Sequence, residues 1–420
     1  MEVIMEPVKV LLLGAGNRGM YAYGKFAAMN PGLMKITALA EPLPEKRRQM
    51  QEEQNIAPGC LFTTWEEAFV KLPPVDAVII AMQDQMHLEP ALKSMKANLH
   101  ILCEKPIVPN LEDCHSIEKE SAGFNKVFMV AHVLKYTPFF SRLKELLVNG
   151  RIGRLIGIDL IENVGHIHIS HSFVRGNWSK KAESSPMILA KSCHDMDILA
   201  WLAGAPCGSL SSYGALNYFK SENAPKGAPK RCLDGCPHMS ECPYHVSKIY
   251  LGQNTDWPVN VITTDLSLKG RMKALEEGPY GRCVFHCDND VVDHQNVSFC
   301  FENGVNVTFT MSGFTMSTHR TITLFGTRGE ITGDMEDAVL KIKDFITGNI
   351  ETISIAKPAG GHSGGDGGFA ADFAACVRGE GGMGRNMIKD AFESHYMAFA
   401  AEASRLESGK MMKIGDFRKR

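Results

Sequence analysis

Long apolar runs, a surplus of charge of either sign and a secretion leader are all missing from this sequence of 420 residues. No stretch approaches the roughly 20 apolar residues that a membrane-spanning helix needs, which excludes a transmembrane protein from the expectations. Lys and Arg total 45 against 47 Asp and Glu, a net charge of -2, so nothing in the charge balance favours nucleic acid or an anionic bilayer as a partner. Residues 1–8 carry acids at Glu2 and Glu6 and lead directly into a strand pattern, unlike a cleaved leader. Without a secretion signal, the 12 cysteines read as free thiols or metal ligands in a reducing compartment, the cytoplasm, rather than as disulfides. What remains is an ordinary soluble composition, 44% hydrophobic and 22% charged. Its length exceeds one core and predicts two domains, with room for a third.

The first chemistry-bearing pattern comes early. Val8–Leu13 (VKVLLL) is a short apolar run of the kind buried on both faces of a parallel sheet. It ends in Gly14-Ala15-Gly16-Asn17-Arg18-Gly19, followed by the helix-forming Met20–Met29. This is G-x-G-x-x-G in the strand–turn–helix setting that a dinucleotide site requires. Gly14 allows the tight turn, Gly16 lets the backbone approach a pyrophosphate, and Gly19 lets the helix pack on the strand, with Asn17 and Arg18 alongside. The next strand, Lys35–Ala40, ends at Glu41, where an acid would accept hydrogen bonds from the adenosine ribose and repel a 2′-phosphate. NAD is therefore the expected cofactor; Lys46, Arg47 and Arg48 keep NADP open.

Further alternation follows. Residues 65–69 suit a helix and Val75–Ala81 a strand; a loop then ends at His87, Leu88–Lys96 suit a helix, and His100–Cys103 form a strand that runs into Glu104-Lys105-Pro106. Such alternation defines a doubly wound domain, closing near residue 135 after a last strand at Val127–His132. Residues 136–420 are left for a second domain.

The glycine turn, the loop ending in His87, "NLHILCEKP" and the later "CHDMDILAWLAG" together resemble the glucose-fructose oxidoreductase / inositol dehydrogenase / rhizopine catabolism (Gfo/Idh/MocA) family, over nearly the whole chain and in the family's order. The resemblance implies an N-terminal Rossmann domain joined to a C-terminal α+β domain with a large, open, mostly antiparallel sheet, and substrates among sugars and cyclitols. It implies a catalytic role for Lys105, at the strand end where open α/β sheets place their ligands, with Glu104 and His87 beside the cofactor. It also makes His194 the acid/base, since histidine titrates near neutral pH.

Ser185 as N-cap and Pro186 at the first helical position predict one helix running through Leu199, with Lys191 and His194 three apart on a shared face. One departure stands out. Many family members carry an Asp four positions before this histidine, and here the position holds Ala190, followed by Lys191. Lys191 is then a substitute ligand for a hydroxyl or carboxylate, and the substrate is left open.

Tyr136, at the exit from the first domain, and His171, Arg175 and Trp178 in "HSFVRGNWSK" are the other substrate candidates, Trp and Arg suiting a sugar face and its hydroxyls. His166, His168 and His171 read as a substrate loop, with metal or a single strand face as alternatives. In the second domain, strands are expected at Leu155–Val164, at Asn296–Glu302 and Val305–Thr310 around a type I′ turn at Asn303-Gly304, at Thr321–Phe325 and Gly329–Thr332, and at Ala338–Phe345. The glycine-rich Ala359–Phe373 is either a linker or a loop that closes His362 and Asp366 over substrate, and Asn386–Leu406 is a final helix. A Cys-containing insert spans about 220–290. Its Cys232, Cys236 and Cys242, with Cys283 as a distant fourth, fit a structural zinc site, less well an Fe-S cluster, and equally well unliganded thiols.

The leading functional expectation is an NAD(P)-dependent dehydrogenase acting on a secondary hydroxyl or ketone of a sugar, glycoside or cyclitol. Two alternatives stand beside it: a glycosidase that recycles NAD through a transient keto-sugar, and a non-catalytic NAD- and sugar-binding regulator. Exposed sheet faces favour a homodimer or homotetramer.

Overall fold

A computed structural model describes residues 6–358, 360–384 and 387–419 of the chain. Glu2, Ala359 and Asn386, which entered the expectations above, lie outside the described residues. The chain builds two sheets. The first contains β1 (Val8–Leu13), β2 (Met34–Ala40), β3 (Leu61–Phe62), β4 (Ala77–Ile80), β5 (His100–Cys103) and β6 (Phe128–Val130). Its order is β3-β2-β1-β4-β5-β6, and every pairing is parallel. Helices cover both faces, so β4 (AVII) and nearly all of β1 are buried without alternation. The strand order reverses between β1 and β4. That crevice at the strands' C-terminal ends is where such sheets bind ligands, and it holds the glycine turn.

The second sheet contains β7 (Leu155–Asn163), β8 (Cys207–Ala215), β9 (His294–Phe301), β10 (Asn306–Ser312), β11 (His319–Gly326), β12 (Gly329–Asp334), β13 (Val339–Asp344), β14 (Ile350–Ser354) and β15 (Met412–Lys413). Its order is β14-β13-β12-β11-β7-β10-β9-β8-β15. Only β7 and β10 pair in parallel; the other neighbours are antiparallel. One face is apolar: along β9, Gln295, Val297, Phe299 and Phe301 point inward and alternate with exposed or half-buried residues. The helices Cys193–Ala203 and Ile388–Leu406 pack there.

The β9–β10 hairpin forms, but the expected type I′ turn does not. Gly304 is left-handed at φ 85, whereas Asn303 is not among the positive-φ residues, and type I′ requires both. The carbonyl of Phe301 instead accepts from Gly304 N, while Phe301 N donates to Val305 O. A single left-handed glycine is enough to turn this chain.

The two units do not divide in space where they divide in sequence. Helix Gly365–Arg378, more than 200 residues beyond β6 in the sequence, lays Phe369, Ala370, Phe373 and Ala374 into the same core as Val8, Val10 and Leu12 of β1. Arg378 Nη1 then donates to Gly32 O at 3.1 Å. Phe373→Ala should therefore cost about 3–5 kcal/mol in urea denaturation and weaken dinucleotide binding as well. A loss below about 1 kcal/mol, well under the usual cost of truncating a buried Phe, would mean the helix is not part of that core.

Candidate functional site

At the end of β1 the chain turns on Gly14, at φ 93, with Gly14 N donating to Ala40 O at 2.9 Å. A Cβ on Gly19 would stand 2.1 Å from Gly14 O, whereas one on Gly16 would meet nothing within 4 Å. Helix and turn are thus in backbone contact, and the Gly16 face is open for a phosphate. Asn17 is exposed at the head of the helix Arg18–Gly24. Glu41, at the end of β2, accepts from Ala15 N at 2.6 Å and from Leu43 N at 2.9 Å. Its carboxylate is fixed beside the turn, where an adenosine ribose would lie. Arg47 Nη1 donates to the Glu41 carbonyl.

The turn after β5 carries Glu104-Lys105-Pro106, with a cis Lys105–Pro106 peptide. Three segments hold it. Glu104 is buried and accepts from Arg18 Nε and from the Tyr23 hydroxyl, both at 2.6 Å. Burial opposes its ionisation, but Arg18 and Tyr23 keep its carboxyl below the ordinary range. His87 is fully buried, its Nδ1 2.8 Å from Pro106 O and its Nε2 3.2 Å from Met82 O. Burial disfavours its charge, yet Cys103, Asp84 and the Pro106 carbonyl raise it to about 10. From the last long helix, His395 Nε2 accepts from Ile107 N at 2.9 Å. Lys105 itself reaches across to the second domain, where Nζ donates to Ala190 O at 2.7 Å.

The predicted helix from Pro186 through Leu199 is two helices, Met187–Ala190 and Cys193–Ala203, with Pro186 preceding the first. The Ser185 hydroxyl is buried without a hydrogen-bond partner and does not cap. The break at Lys191–Ser192 has a physical cause. Lys191 Nζ is drawn to Glu162 Oε1 of β7 at 3.0 Å, and Arg320 of β11 bridges Glu162 Oε2 at 2.5 Å and Asp195 Oδ1 at 2.6 Å. Two cations and two carboxylates are thereby buried together. Burial lowers the Lys191 ammonium; burial and Glu162 push Asp195 up to about 6 despite Arg320. On the same helix, Asp197 accepts from Lys135 Nζ at 2.7 Å.

His194, next to Asp195 in the chain, takes no part in these ion pairs. It is 4% exposed, its ring nitrogens have no hydrogen-bond partner, and its ring lies 5.9 Å from His132 and 5.5 Å from His362. Burial, then Lys105 and His362, hold its pKa well below the usual histidine value. Lys105, His194, His362 and Lys191 thus share one neighbourhood with His168, which burial, then Lys191 and His171, hold well below the usual histidine value.

Other expected contacts are placed differently. Tyr136 donates to Asp372 at 2.6 Å, and Trp178 Nε1 donates to the buried Asp84 at 3.3 Å. The histidine-rich stretch is helical, His166–His168 and Ile169–Arg175, not a strand. His171 turns into the insert, hydrogen-bonded to the Tyr250 hydroxyl at 2.9 Å and stacked on Tyr280. Arg175 is also buried, and it donates to Arg282 O and Tyr244 O and ties the insert down. Glu162, Arg320 and His395 escaped the sequence reading, and no local motif marks them.

Cys232, Cys236, Cys242 and Cys283 line one small cavity. Among the described residues, however, no group of three or more His, Cys, Asp and Glu is placed to hold a metal ion. The expectation of zinc, and with it an Fe-S cluster, has no support. Burial raises Cys242, and raises Cys283 to about 11, so these thiols are protonated small apolar groups. Among the described residues no helix is long and apolar enough to cross a membrane.

Comparison with known proteins agrees with this geometry. The description "Oxidoreductase family, NAD-binding Rossmann fold" of the Gfo/Idh/MocA family matches residues 8–132, and "Oxidoreductase family, C-terminal alpha/beta domain" matches residues 144–412. A putative oxidoreductase, YteT, of Bacillus subtilis is 26% identical over 72% of this chain and 73% of its own length. Inositol 2-dehydrogenase of Streptomyces avermitilis is 29% identical over 52% of this chain and 59% of its own. Two solved structures share the fold. Levoglucosan dehydrogenase with NADH and levoglucosan has a TM-score of 0.72 and 16% identity, covering 97% of this chain and 100% of that one. An inositol dehydrogenase homolog with NAD+ from Azotobacter vinelandii has a TM-score of 0.70 and 13% identity, covering 98% of each.

Two outcomes follow from the buried charges. Arg320→Met should destabilise the protein by about 3–5 kcal/mol, because it strands two buried carboxylates; chemical denaturation at neutral pH measures this. Burial also holds His171 and His395 at about 3, against an ordinary 6.5. The unfolded chain therefore binds more protons between those values, so this stability is complete above the ordinary pKa and is lost as pH falls toward the folded one. Between roughly pH 4 and 6, the slope of unfolding free energy against pH should decrease by about one proton in His395→Gln. An unchanged slope would show that His395 is not buried neutral.

Proposed function

Because this chain belongs to the Gfo/Idh/MocA oxidoreductase family, we propose that it transfers a hydride between NAD and a secondary hydroxyl or ketone of a sugar, glycoside or cyclitol. The observation that carries the proposal is that Lys105, at the C-terminal end of β5, reaches across to Ala190 O at 2.7 Å, four positions before the buried His194. The open face of Gly16, the tight Gly14–Gly19 contact and the fixed Glu41 carboxylate fit a dinucleotide without a 2′-phosphate, which supports NAD over NADP. When bound, NAD supplies the hydride acceptor at its nicotinamide ring.

The chain's own groups do the remaining work. The Lys105 ammonium has three N–H donors, and one is engaged by Ala190 O. The others are available to hold the substrate oxygen as it becomes a carbonyl. His194 is kept neutral by burial and by Lys105, so it has a lone pair for the hydroxyl proton. Lys191 acts by positioning, since Glu162 engages its ammonium. The substrates in the names of the dehydrogenase relatives, inositol and levoglucosan, support this ligand class. Homo-oligomerisation through the outer sheet face, where Ile161 and Phe325 are 40% and 38% exposed, belongs to the same proposal.

Purified protein with NAD should produce NADH absorbance with at least one member of a panel of aldoses, anhydrosugars, glycosides and inositols. Lys105→Met should reduce kcat by roughly 100- to 10,000-fold while NAD still binds. Aglycone release without net NADH would instead identify the NAD-recycling chemistry. A panel with neither outcome would defeat the proposal.

A further inference from the structure

The proposed reaction leaves a proton on His194, and His194 is almost sealed from water. It is 4% exposed, with no hydrogen-bond partner at either ring nitrogen. Two imidazoles adjoin it. His132 leads inward, toward Asp197 at 3.4 Å and the fully buried ring of His395. His362 leads outward. Its side chain is 36% exposed, and its ring lies 5.5 Å from that of His194.

The glycine-rich segment that carries His362 is held firmly. His362 Nδ1 is 2.9 Å from Asp366 Oδ1, and Asp366 is gripped by both terminal nitrogens of Arg18, at 2.7 and 3.0 Å. His362 (φ 48, ψ 45) and Ser363 (φ 52, ψ 43) both occupy the left-handed region, which non-glycine residues adopt only where the surroundings enforce it. The enforcing contact comes from the dinucleotide-binding turn itself, through Arg18. Burial, then Lys105 and His362, make His194 a poor resting place for a positive charge, and His362 itself sits against the Asp366 carboxylate at 2.9 Å.

We propose that His362 is the proton outlet of this site, a relay residue that takes from His194 the proton released by the substrate hydroxyl. The inference rests on the dehydrogenase reading above. As the C–H bond breaks and its electron pair leaves as hydride to NAD, the O–H proton moves to a ring nitrogen of His194. It then passes through one intervening water or substrate hydroxyl to Nε2 of His362 and from there to solvent, returning His194 to its neutral form. In the reducing direction the same steps run backwards, and His362 delivers the proton.

The test compares steady-state turnover of wild-type holoenzyme with His362→Ala and His362→Gln on whichever sugar the wild type oxidises. Both variants should lose roughly 10- to 100-fold in kcat, with much smaller changes in KM for NAD and an unchanged thermal midpoint. Added imidazole should restore His362→Ala in a saturable way, which it would not do for a purely structural residue. Gln fills the same space without a titratable ring. A Gln variant at the wild-type rate overturns the relay, and so does an Ala variant that imidazole leaves slow. A wild type that oxidises nothing defeats the dehydrogenase reading and the relay together; an active wild type with unaffected variants defeats the relay alone.

Discussion

A guanidinium buried between two carboxylates fixes the half of this site that comes from the second sheet. Arg320 reaches from β11 to Glu162 on β7 and to Asp195 on the helix Cys193–Ala203, and Lys191 completes the set at Glu162. Charges withdrawn from water are tolerated only when each one is matched, so the four side chains have little freedom to rearrange. The helix that carries His194 is thereby pinned to the sheet. The chain just before it is pulled into a break that leaves the Ala190 carbonyl as the partner of Lys105.

The other half of the site is fixed with the same economy. The turn holding Lys105 is hydrogen-bonded by Arg18 and Tyr23 through Glu104, by His87 through Pro106 and by His395 through Ile107. These groups come from the first helix, the fourth βα loop and the last long helix. A lysine on a turn would ordinarily be mobile; here the turn is as constrained as a strand. Preorganisation of this kind is what the proposed role of Lys105 requires, a donor held ready where charge develops.

Much of this was legible in the sequence, for reasons that differ by element. The parallel sheet and its glycine turn announce themselves locally, because unbroken apolar runs and G-x-G-x-x-G are short-range consequences of burial and close backbone approach. The family was legible through the motifs around Lys105 and His194. The break at Lys191 was not, since helix propensity runs smoothly through it and the pull comes from Glu162, about 30 positions away. The contacts of Arg175 and His171 with the insert were not legible for a related reason. Arg and His near Trp suit a sugar pocket, but the aromatic insert that engages them lies 70 to 110 positions further on. Cysteine spacing likewise suggested ligands where the described residues hold no metal-binding group. His362 and Asp366 were visible as a choice between linker and lid, and only the contact with Arg18 separates the two.

Helix Gly365–Arg378 closes the dinucleotide-binding core from the far end of the chain. Recombination between relatives is constrained accordingly. A cofactor module exchanged at the apparent border near residue 135 would arrive without one of its own walls, and the recipient would contribute a helix shaped for a different sheet. A functional chimera needs to carry that helix along with its sheet, and the Asp366–Arg18 contact with it. What evolves as a unit in this architecture is a noncontiguous pair of segments.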